Sequence, residues 1–212
     1  MSSLPSADRR ELLEIARSSL TLAASGQPLP DRILSDRSSR SENLGRPTGA
    51  FVSLHYRSRL RGCVGQLTAE LPLIDVVAYC ARAAALSDPR FAPVLPDELL
   101  GIEIEISVLS PLETVVPAQI EAGRHGILVT RGRQRGVLLP QVASDFHWTA
   151  MRFLEETCEK AGLARDAWKD SGTRIEAFTA EVFSEGSTLA EDKVLSETPM
   201  DPPKLNDYSS ST

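Results

Sequence analysis

Cysteine is scarce in this chain, and its arrangement excludes two kinds of small-domain framework. The three cysteines, Cys63, Cys80 and Cys158, are odd in number and lie far apart without CxxC spacing. Neither a disulfide framework nor a zinc knuckle fits that pattern. The three histidines are equally dispersed. The sequence therefore predicts no metal site and no cofactor.

Long apolar stretches are also missing. Residues 1–11 contain no apolar run after a basic start, and the most apolar later stretch, residues 71–81, is interrupted by Asp75. A signal peptide or a membrane helix needs such a run. We therefore expect a cytoplasmic protein without a membrane segment.

Positive charge is in short supply and unevenly distributed. The formal net charge is −6, and there is no helix-turn-helix signal or lysine-rich face, so nucleic-acid binding is disfavoured. Two segments, residues 43–69 and 122–144, nevertheless contain no acidic residue. Their formal charges are all arginines: Arg46, Arg57, Arg59, Arg61, Arg124, Arg131, Arg133 and Arg135. If the segments meet in space they would form a cationic pocket for phosphate or carboxylate groups. The alternative is solvated arginines on hairpin turns.

The segment LRGCVG, residues 60–65, places Cys63 between two glycines and beside Arg61, ahead of a predicted helix. Gly62 and Gly65 would let the backbone approach a ligand closely or turn at positive φ. A neighbouring guanidinium or a helix N-terminus would lower a thiol pKa from about 8.5. The functional hypothesis is a nucleophilic or ligand-contacting thiol. The alternative is a small residue in a tight glycine turn.

Alternating side chains predict how this segment pairs with the preceding one. Residues 48–56 and 60–64 are predicted strands joined by a loop at residues 57–59. Leu54 would then oppose Gly62, Val52 would oppose Val64, and Leu60 would oppose Tyr56, which gives one aliphatic face. The opposite face would carry Ser53, His55, Arg61 and Cys63. His55 is the base that this pairing places near the thiol.

Periodicity and breaker residues indicate the remaining elements. Predicted helices cover residues 8–23, 71–88 and 148–161, strands cover 102–108 and 175–183, a hairpin covers 127–139, and a surface connection covers 27–47. Pro89 ends the second helix in a turn that contains Asp88 and Arg90. Either these two side chains form an ion pair that locks the turn, or the arginine is directed at a ligand. Glu103 and Glu105 are either a solvated strand face or an acid–base pair.

Several short motifs occur in the order that a known family shows. They are LRGCVG at residues 60–65, DPRFAP at 88–93, ISVLSP at 106–111, GRHGI at 123–127, LLPQVA at 138–143, Trp148, KAGL at 160–163 and FTAEVF at 178–183. Together they resemble the AMMECR-one domain family, whose bacterial and archaeal members are called AmmeMemoRadiSam system protein A. The resemblance covers roughly residues 5–186.

The resemblance implies a fold more firmly than an activity. It implies an α+β domain over residues 1–186, mostly antiparallel sheet with packed helices, in two closely packed subdomains. Residues 187–212 are polar and predicted to form a disordered tail. No activity is established for such a family, but its name implies association with Memo-like and radical SAM proteins. The family's usual threonine before the cysteine motif is here Ser53, which keeps a hydroxyl on the candidate face.

Two hypotheses of different classes remain open. In the first, the protein is an enzyme or enzyme subunit in which Cys63 reacts, Arg61 and Arg90 hold a small anion, and His55 or His125 moves a proton. In the second, it is a non-catalytic module that binds the Memo-like or radical SAM partner, or carries their substrate, with residues 61–65 as the recognition surface. The reaction and the substrate are open in both.

Overall fold

The computed structural model describes residues 3–29 and 41–187. Most of the tail predicted at 187–212, and the middle of the connection predicted at 27–47, lie outside the described residues. The helices are α1 Ser6–Ala24, α2 Glu42–Gly45, α3 Leu73–Leu86, α4 Pro140–Asp145 and α5 Ala150–Lys160. The strands are β1 Ala50–Tyr56, β2 Arg59–Gln66, β3 Ile102–Leu109, β4 Glu113–Thr114, β5 His125–Arg131, β6 Gln134–Leu138 and β7 Arg174–Ser184. Short 3₁₀ helices occur at Pro96–Gly101, Pro117–Gln119 and Ala167–Lys169.

One curled antiparallel sheet organises the molecule. Its strand order is β2-β1-β3-β7-β5-β6, with β4 added against β7. Neighbouring strands in this order pair in antiparallel fashion. The predicted α+β class with a mostly antiparallel sheet is therefore confirmed. The sheet is curled, but its two terminal strands, β2 and β6, do not pair with each other, so both remain as edges.

The first core lies between one face of β1 and β3 and the helices α1 and α3. Leu12, Ala16 and Leu20 recur at helical spacing on α1 and are fully buried. Helix α3 is apolar nearly all round and buries most of its residues, as expected for an element covered on several sides. The strands present Val52 and Ile106 to the same core.

The second core lies between α5 and the strands β5 and β7. Thr149 caps α5 by accepting a hydrogen bond from the backbone N–H of Arg152. Gly162 follows the helix at φ +73°, which confirms its predicted C-terminal role. Strand β7 serves both cores, with Ile175 in the second and Phe183 in the first. One sheet thus passes through both, and the division into two subdomains stays a prediction.

The β1–β2 hairpin differs from its predicted form near the loop. Val52 opposes Val64 and Leu54 opposes Gly62, as predicted. The loop, however, has two residues, Arg57 and Ser58, both at positive φ. Such turns suit the twist of a hairpin, and a bulge after Leu54 takes up the extra residue. The predicted pairing of Leu60 with Tyr56 is therefore wrong.

Leu60 opposes His55 instead. Its side chain is 41% exposed, so it does not belong to the aliphatic face.

Candidate functional site

Cys63 lies on the edge strand β2, on the polar side of the sheet. Its Sγ is 3.3 Å from the Oγ of Ser53, the residue opposite it on β1. Its backbone N–H points away from β1 and donates to Asp88 Oδ2 at 2.8 Å. The thiol is partly exposed, whereas Cys80 and Cys158 are buried. The structure thus confirms that Ser53 and Cys63 share a face.

The two glycines beside Cys63 are required by packing. Neither Gly62 nor Gly65 is among the positive-φ glycines of the described residues. A Cβ at Gly62 would lie 2.3 Å from the carbonyl oxygen of Ala84, and one at Gly65 would lie 2.2 Å from the ring of Phe51. The space beside these glycines is therefore filled by Ala84 and Phe51 of the same chain. The alternative prediction of a tight glycine turn is wrong, because the segment is part of strand β2.

Helix α3 presents its C-terminal end, and not its N-terminal end, to the segment around Cys63. Ala84, which contacts Gly62, lies in the last turn of α3. At about 1.5 Å per residue, the first residue of the helix, Leu73, lies roughly 16 Å farther away. The C-terminal end of a helix carries partial negative charge. The expected stabilisation of a thiolate by the start of a following helix is therefore wrong.

Arg61 forms an internal ion pair. Its Nε and one terminal nitrogen donate to the carboxylate of Glu98 at 2.8 and 2.9 Å, and it also donates to the carbonyl oxygens of Ala92 and Pro93. The Arg61 guanidinium holds the pKa of Glu98 below its usual range. Arg61 therefore fastens the 3₁₀ segment to β2, and its anion-binding role stays a prediction.

Asp88 and Arg90 form the predicted ion pair. Asp88 Oδ1 accepts from the backbone N–H and the Nε of Arg90 at 3.1 and 3.0 Å, and Oδ2 accepts from a terminal nitrogen at 2.7 Å. These bonds, joined by the Cys63 N–H and opposed by burial, hold the pKa of Asp88 well below its ordinary value. The Arg90 side chain is 55% exposed. Asp88, and to a smaller extent Cys63, raises the pKa of Arg90, so the guanidinium also lies beside the thiol.

Besides Arg90, Lys160 lies near Cys63, although nothing in the sequence indicated that it belongs to the site. It ends α5, on the other core. Partial burial of its ammonium and repulsion from Arg90 lower its pKa, while Cys63 acts in the opposite direction. No hydrogen bond or ion pair of Lys160 is found among the described residues. Two cations from different elements therefore converge on Cys63.

The two histidines proposed as bases have different surroundings. His55 lies on the polar face between Leu60 and Glu103, and its Nε2 is buried without a partner among the described residues. His125 begins β5, four strands from β2 in the sheet order. Its Nδ1 accepts the backbone N–H of Glu121 at 3.1 Å. His125 thus closes a local turn and is not placed with Cys63 in the sheet.

Glu105 is a second residue whose place near Cys63 could not be recognised from the sequence. Glu105, Ser53 and Cys63 occupy opposed positions on β3, β1 and β2 and form one row across the polar face. Burial raises the pKa of Glu105; the nearby charge of His55 opposes the shift, and those of Glu103 and Asp145 add to it. A fully solvated strand face is therefore wrong for Glu105. A protonatable carboxyl lies two strands from the thiol.

The two acid-free segments meet beside this row. Both line a cavity of about 400 Å³ between the edges of β2 and β6, with Phe51, Gly65, Leu67, Thr68, Leu128, Arg135, Gly136 and Val137 around it. Four of the eight arginines instead pair with acids outside the segments: Arg46 with Glu42, Arg61 with Glu98, Arg124 with Glu121 and Arg131 with Asp170. Of the eight, only Arg135 is among the residues lining this cavity. The charged side chain that lines the cavity is therefore Arg135.

Residues 3–29 and 41–187 hold no group of three His, Cys, Asp or Glu side chains that could bind a metal ion. Over the same ranges, no helix combines the length and the apolar character needed to cross a bilayer.

The fold and the site define an α+β protein whose curled antiparallel sheet places one thiol beside two cations at a strand edge. The sequence profile of the AMMECR1 family matches residues 13–183, and the chain belongs to that family. A protein of Aquifex aeolicus is 36% identical over 194 residues, which cover 87% of this chain and 96% of the relative. One from Methanothermobacter thermautotrophicus is 45% identical over 144 residues, covering 65% and 75%.

A solved structure shares the fold. The crystal structure of an uncharacterised protein from Pyrococcus horikoshii matches with a TM-score of 0.75 and 34% identity, covering 84% of this chain and 91% of the other. The names of these relatives state no activity. The family is therefore established, and the function has to be argued from the site.

Proposed function

We propose that this protein is an enzyme or enzyme subunit that binds an anionic substrate beside Cys63, with the thiol as its reactive group. The observation that carries the proposal is that Asp88 bonds both to the Cys63 N–H and to Arg90, while Lys160, from a separate element, is close enough to interact with both Arg90 and Cys63. Asp88 balances the charge of Arg90, whereas Lys160 has no ion pair among the described residues, and a partly buried cation is stabilised by a nearby anion. A thiolate or a bound carboxylate or phosphate would supply that charge.

The geometry supports a division of roles among the side chains. Asp88 engages Arg90 through Nε and one terminal nitrogen, which orients the guanidinium and leaves further donors for a ligand. Lys160 adds three donors on a flexible stem. Ser53 holds the thiol in place from within the sheet. Burial raises the pKa of Glu105, which makes it more suited to hold and give up a proton than an exposed carboxylate.

The partners belong to the same proposal. The resemblance that identified the family also implies Memo-like and radical SAM proteins. A protein with a substrate-binding thiol and no metal cluster among its described residues is suited to act with proteins that bring their own cofactors.

A specific observation favours the second candidate, a non-catalytic adaptor for those partners. Three leucines beside the Arg61–Glu98 ion pair are exposed: Leu60 at 41%, Leu95 at 58% and Leu100 at 103%. Large apolar side chains grouped at a surface are typical of protein-binding sites. In this candidate, Arg61 shapes the docking surface and Cys63 takes part in no reaction.

Alkylation of the native protein tests the first candidate. Iodoacetamide modification of Cys63 is followed by mass spectrometry, with Cys80 and Cys158 as internal references. Orthophosphate or succinate is expected to slow modification of Cys63 by several fold. Lys160→Gln should weaken that protection, whereas Lys169→Gln, which changes an exposed lysine elsewhere, should not. If neither orthophosphate nor succinate slows the alkylation of Cys63, the proposed anion-binding site is wrong.

A reconstituted pathway assay then separates the two candidates. Cys63→Ser should abolish activity if the thiol reacts and leave it intact if the protein is an adaptor. Leu100→Ser should reduce activity strongly if the protein is an adaptor, because the exposed leucines would then be its docking surface.

A further inference from the structure

The curled sheet has two free edges that line one cavity. Strands β2 and β6 end the strand order, and residues of both surround the cavity of about 400 Å³. That volume is within the range of ligand-binding pockets. Unpaired strand edges present N–H and C=O groups that can pair with another chain. The cavity is therefore a place where a further strand could be added.

The backbone groups that face the cavity from β2 follow from one hydrogen bond. The Cys63 N–H points outward, because it donates to Asp88 and not to β1. Residues of an antiparallel strand alternate between pairing inward and pointing outward. Gly65, two residues on, therefore also directs its N–H and C=O away from β1, and it lines the cavity.

The edge of β6 offers matching groups. Arg131 and Gln134 flank the two-residue loop of the β5–β6 hairpin, and such flanking residues bond to each other. The same alternation directs the N–H and C=O groups of Arg135 and Val137 away from β5. Both residues line the cavity. Its apolar floor comes from Phe51 and Leu128, and Arg135 adds positive charge.

The position of Asp88 determines where an added strand must end. Asp88 already occupies the outward N–H of Cys63, so pairing along β2 can extend past Gly65 but not through Cys63. A strand antiparallel to β2 would run toward Cys63, so that its carboxyl end arrives there. Arg90 lies at that point, because the Asp88 oxygen that accepts the Cys63 N–H also accepts from Arg90, and Lys160 is close enough to interact with both Arg90 and Cys63. A chain that ends in a carboxylate fits this arrangement better than one that continues.

We propose that this seam binds the carboxyl-terminal end of an extended polypeptide as a strand antiparallel to β2, with its terminal carboxylate between Arg90 and Lys160. The inference rests on the proposed function, since it names the anion at Cys63 as a peptide carboxylate. Backbone pairing with Gly65 supplies affinity, and the two cations select the terminus. The last residue of the peptide then lies next to the thiol.

Affinity selection with synthetic peptides tests the proposal. The immobilised protein is incubated with a pool of random heptapeptides that have free carboxyl termini, or with the same pool as carboxyl-terminal amides, and retained peptides are quantified by mass spectrometry. The free acids should be retained about tenfold better than the amides. Lys160→Gln should reduce that ratio toward one without changing retention of the amides, whereas Lys169→Gln should leave the ratio unchanged.

A second variant tests the location. Thr68 is exposed and lines the cavity, so Thr68→Trp should fill the mouth of the cavity and remove retention of both pools while the protein stays folded by circular dichroism. Equal retention of acids and amides by the native protein, or retention that Thr68→Trp does not change, would overturn the proposal.

Alkylation of Cys63 in the same protein samples distinguishes failure of the peptide proposal from failure of the proposed function. If neither pool is retained while succinate still protects Cys63 from alkylation, the peptide assignment is wrong and the anionic site stands. If succinate also gives no protection, both are wrong.

Discussion

Gly62 and Cys63 are adjacent in the chain, yet they belong to opposite sides of the sheet and to different kinds of environment. Gly62 faces α3, where a single added carbon would lie 2.3 Å from a backbone oxygen. Cys63 faces the polar side, where its sulfur contacts Ser53 at 3.3 Å and two cations approach. Shape therefore selects the residues on one face of β2, and charge selects those on the other.

The cysteines show the same contrast. Cys80 lies in the first core, and burial raises its pKa to about 12, with a smaller contribution from Cys63. Burial also raises the pKa of Cys158. Cys63 lies outside both cores. The thiol that the sequence singles out is the one that a reagent or a substrate could reach.

The largest effect is expected from Gly62→Val, which places a side chain where only backbone fits. Because the neighbouring atom is the carbonyl oxygen of Ala84 in α3, no rotamer change can relieve the contact. The variant should lose more than about 4 kcal/mol of unfolding free energy, or fail to fold, in urea denaturation. Gly172→Val is the control, because nothing lies within 4 Å of a Cβ there. Equal stability of the two variants would contradict the packing account.

Removing the turn lock should have the next largest effect. Asp88→Ala deletes a carboxylate that accepts from Cys63 and Arg90, and should lower the unfolding free energy by about 2 kcal/mol and Tm by about 4–8 °C. The control is Asp97→Ala, at an exposed position, which should change the unfolding free energy by less than about 0.5 kcal/mol.

The Asp88 effect should also depend on pH. Because the folded-state pKa of Asp88 is lowered, its contribution is complete above the ordinary aspartate pKa of about 3.9 and is lost as the pH falls toward the folded value. The difference in Tm between the native protein and Asp88→Ala should therefore shrink below about pH 4. A difference that stays constant down to pH 3 would mean that the carboxylate charge is not involved.

Glu105→Gln should have a smaller effect of opposite sign. The raised pKa of Glu105 means that folding disfavours its ionised form. The native protein therefore loses stability as the pH rises above the ordinary glutamate pKa of about 4.3. The variant should be more stable at pH 7 by about 0.5 kcal/mol, with no gain at pH 4, measured by thermal melting. Glu113→Gln, at an exposed position of β4, should show no such gain.

Cys63→Ser should change stability least, by less than about 0.5 kcal/mol in urea denaturation. The polar face can accept a hydroxyl beside Ser53. Cys80→Ser should cost about 1–3 kcal/mol, because it places a hydroxyl in an apolar core. Comparable losses in the two serine variants would remove the distinction between the two thiol environments.

Short-range pattern was sufficient for much of the local structure. Alternation along β1 and β2 assigns Ser53 and Cys63 to one face, because successive side chains of a strand point in opposite directions. Pro89 and its neighbours likewise predict the turn in which Asp88 meets Arg90. The errors occur near the hairpin loop, where a two-residue turn and a bulge satisfy the strand twist better than the expected three-residue loop.

Long-range contacts could not be read in the same way. Arg61 appears in the sequence as a neighbour of the thiol, but its guanidinium pairs with Glu98. Lys160 stands far from Cys63 in the chain and approaches it only because the sheet curls and brings α5, which packs on β6, toward Cys63. Sequence spacing carries no information about such approaches, since they depend on how whole elements pack.

The family, most helices and strands, and the face on which Cys63 lies could be predicted from the sequence, because each depends on residue order over a few positions. The cations near the thiol, the internal acid that holds Arg61, and the cavity lined by β2 and β6 became visible in the folded structure. These features arise when elements distant in the chain are brought together, and the free energy that does so comes from burying the two cores and not from the site itself.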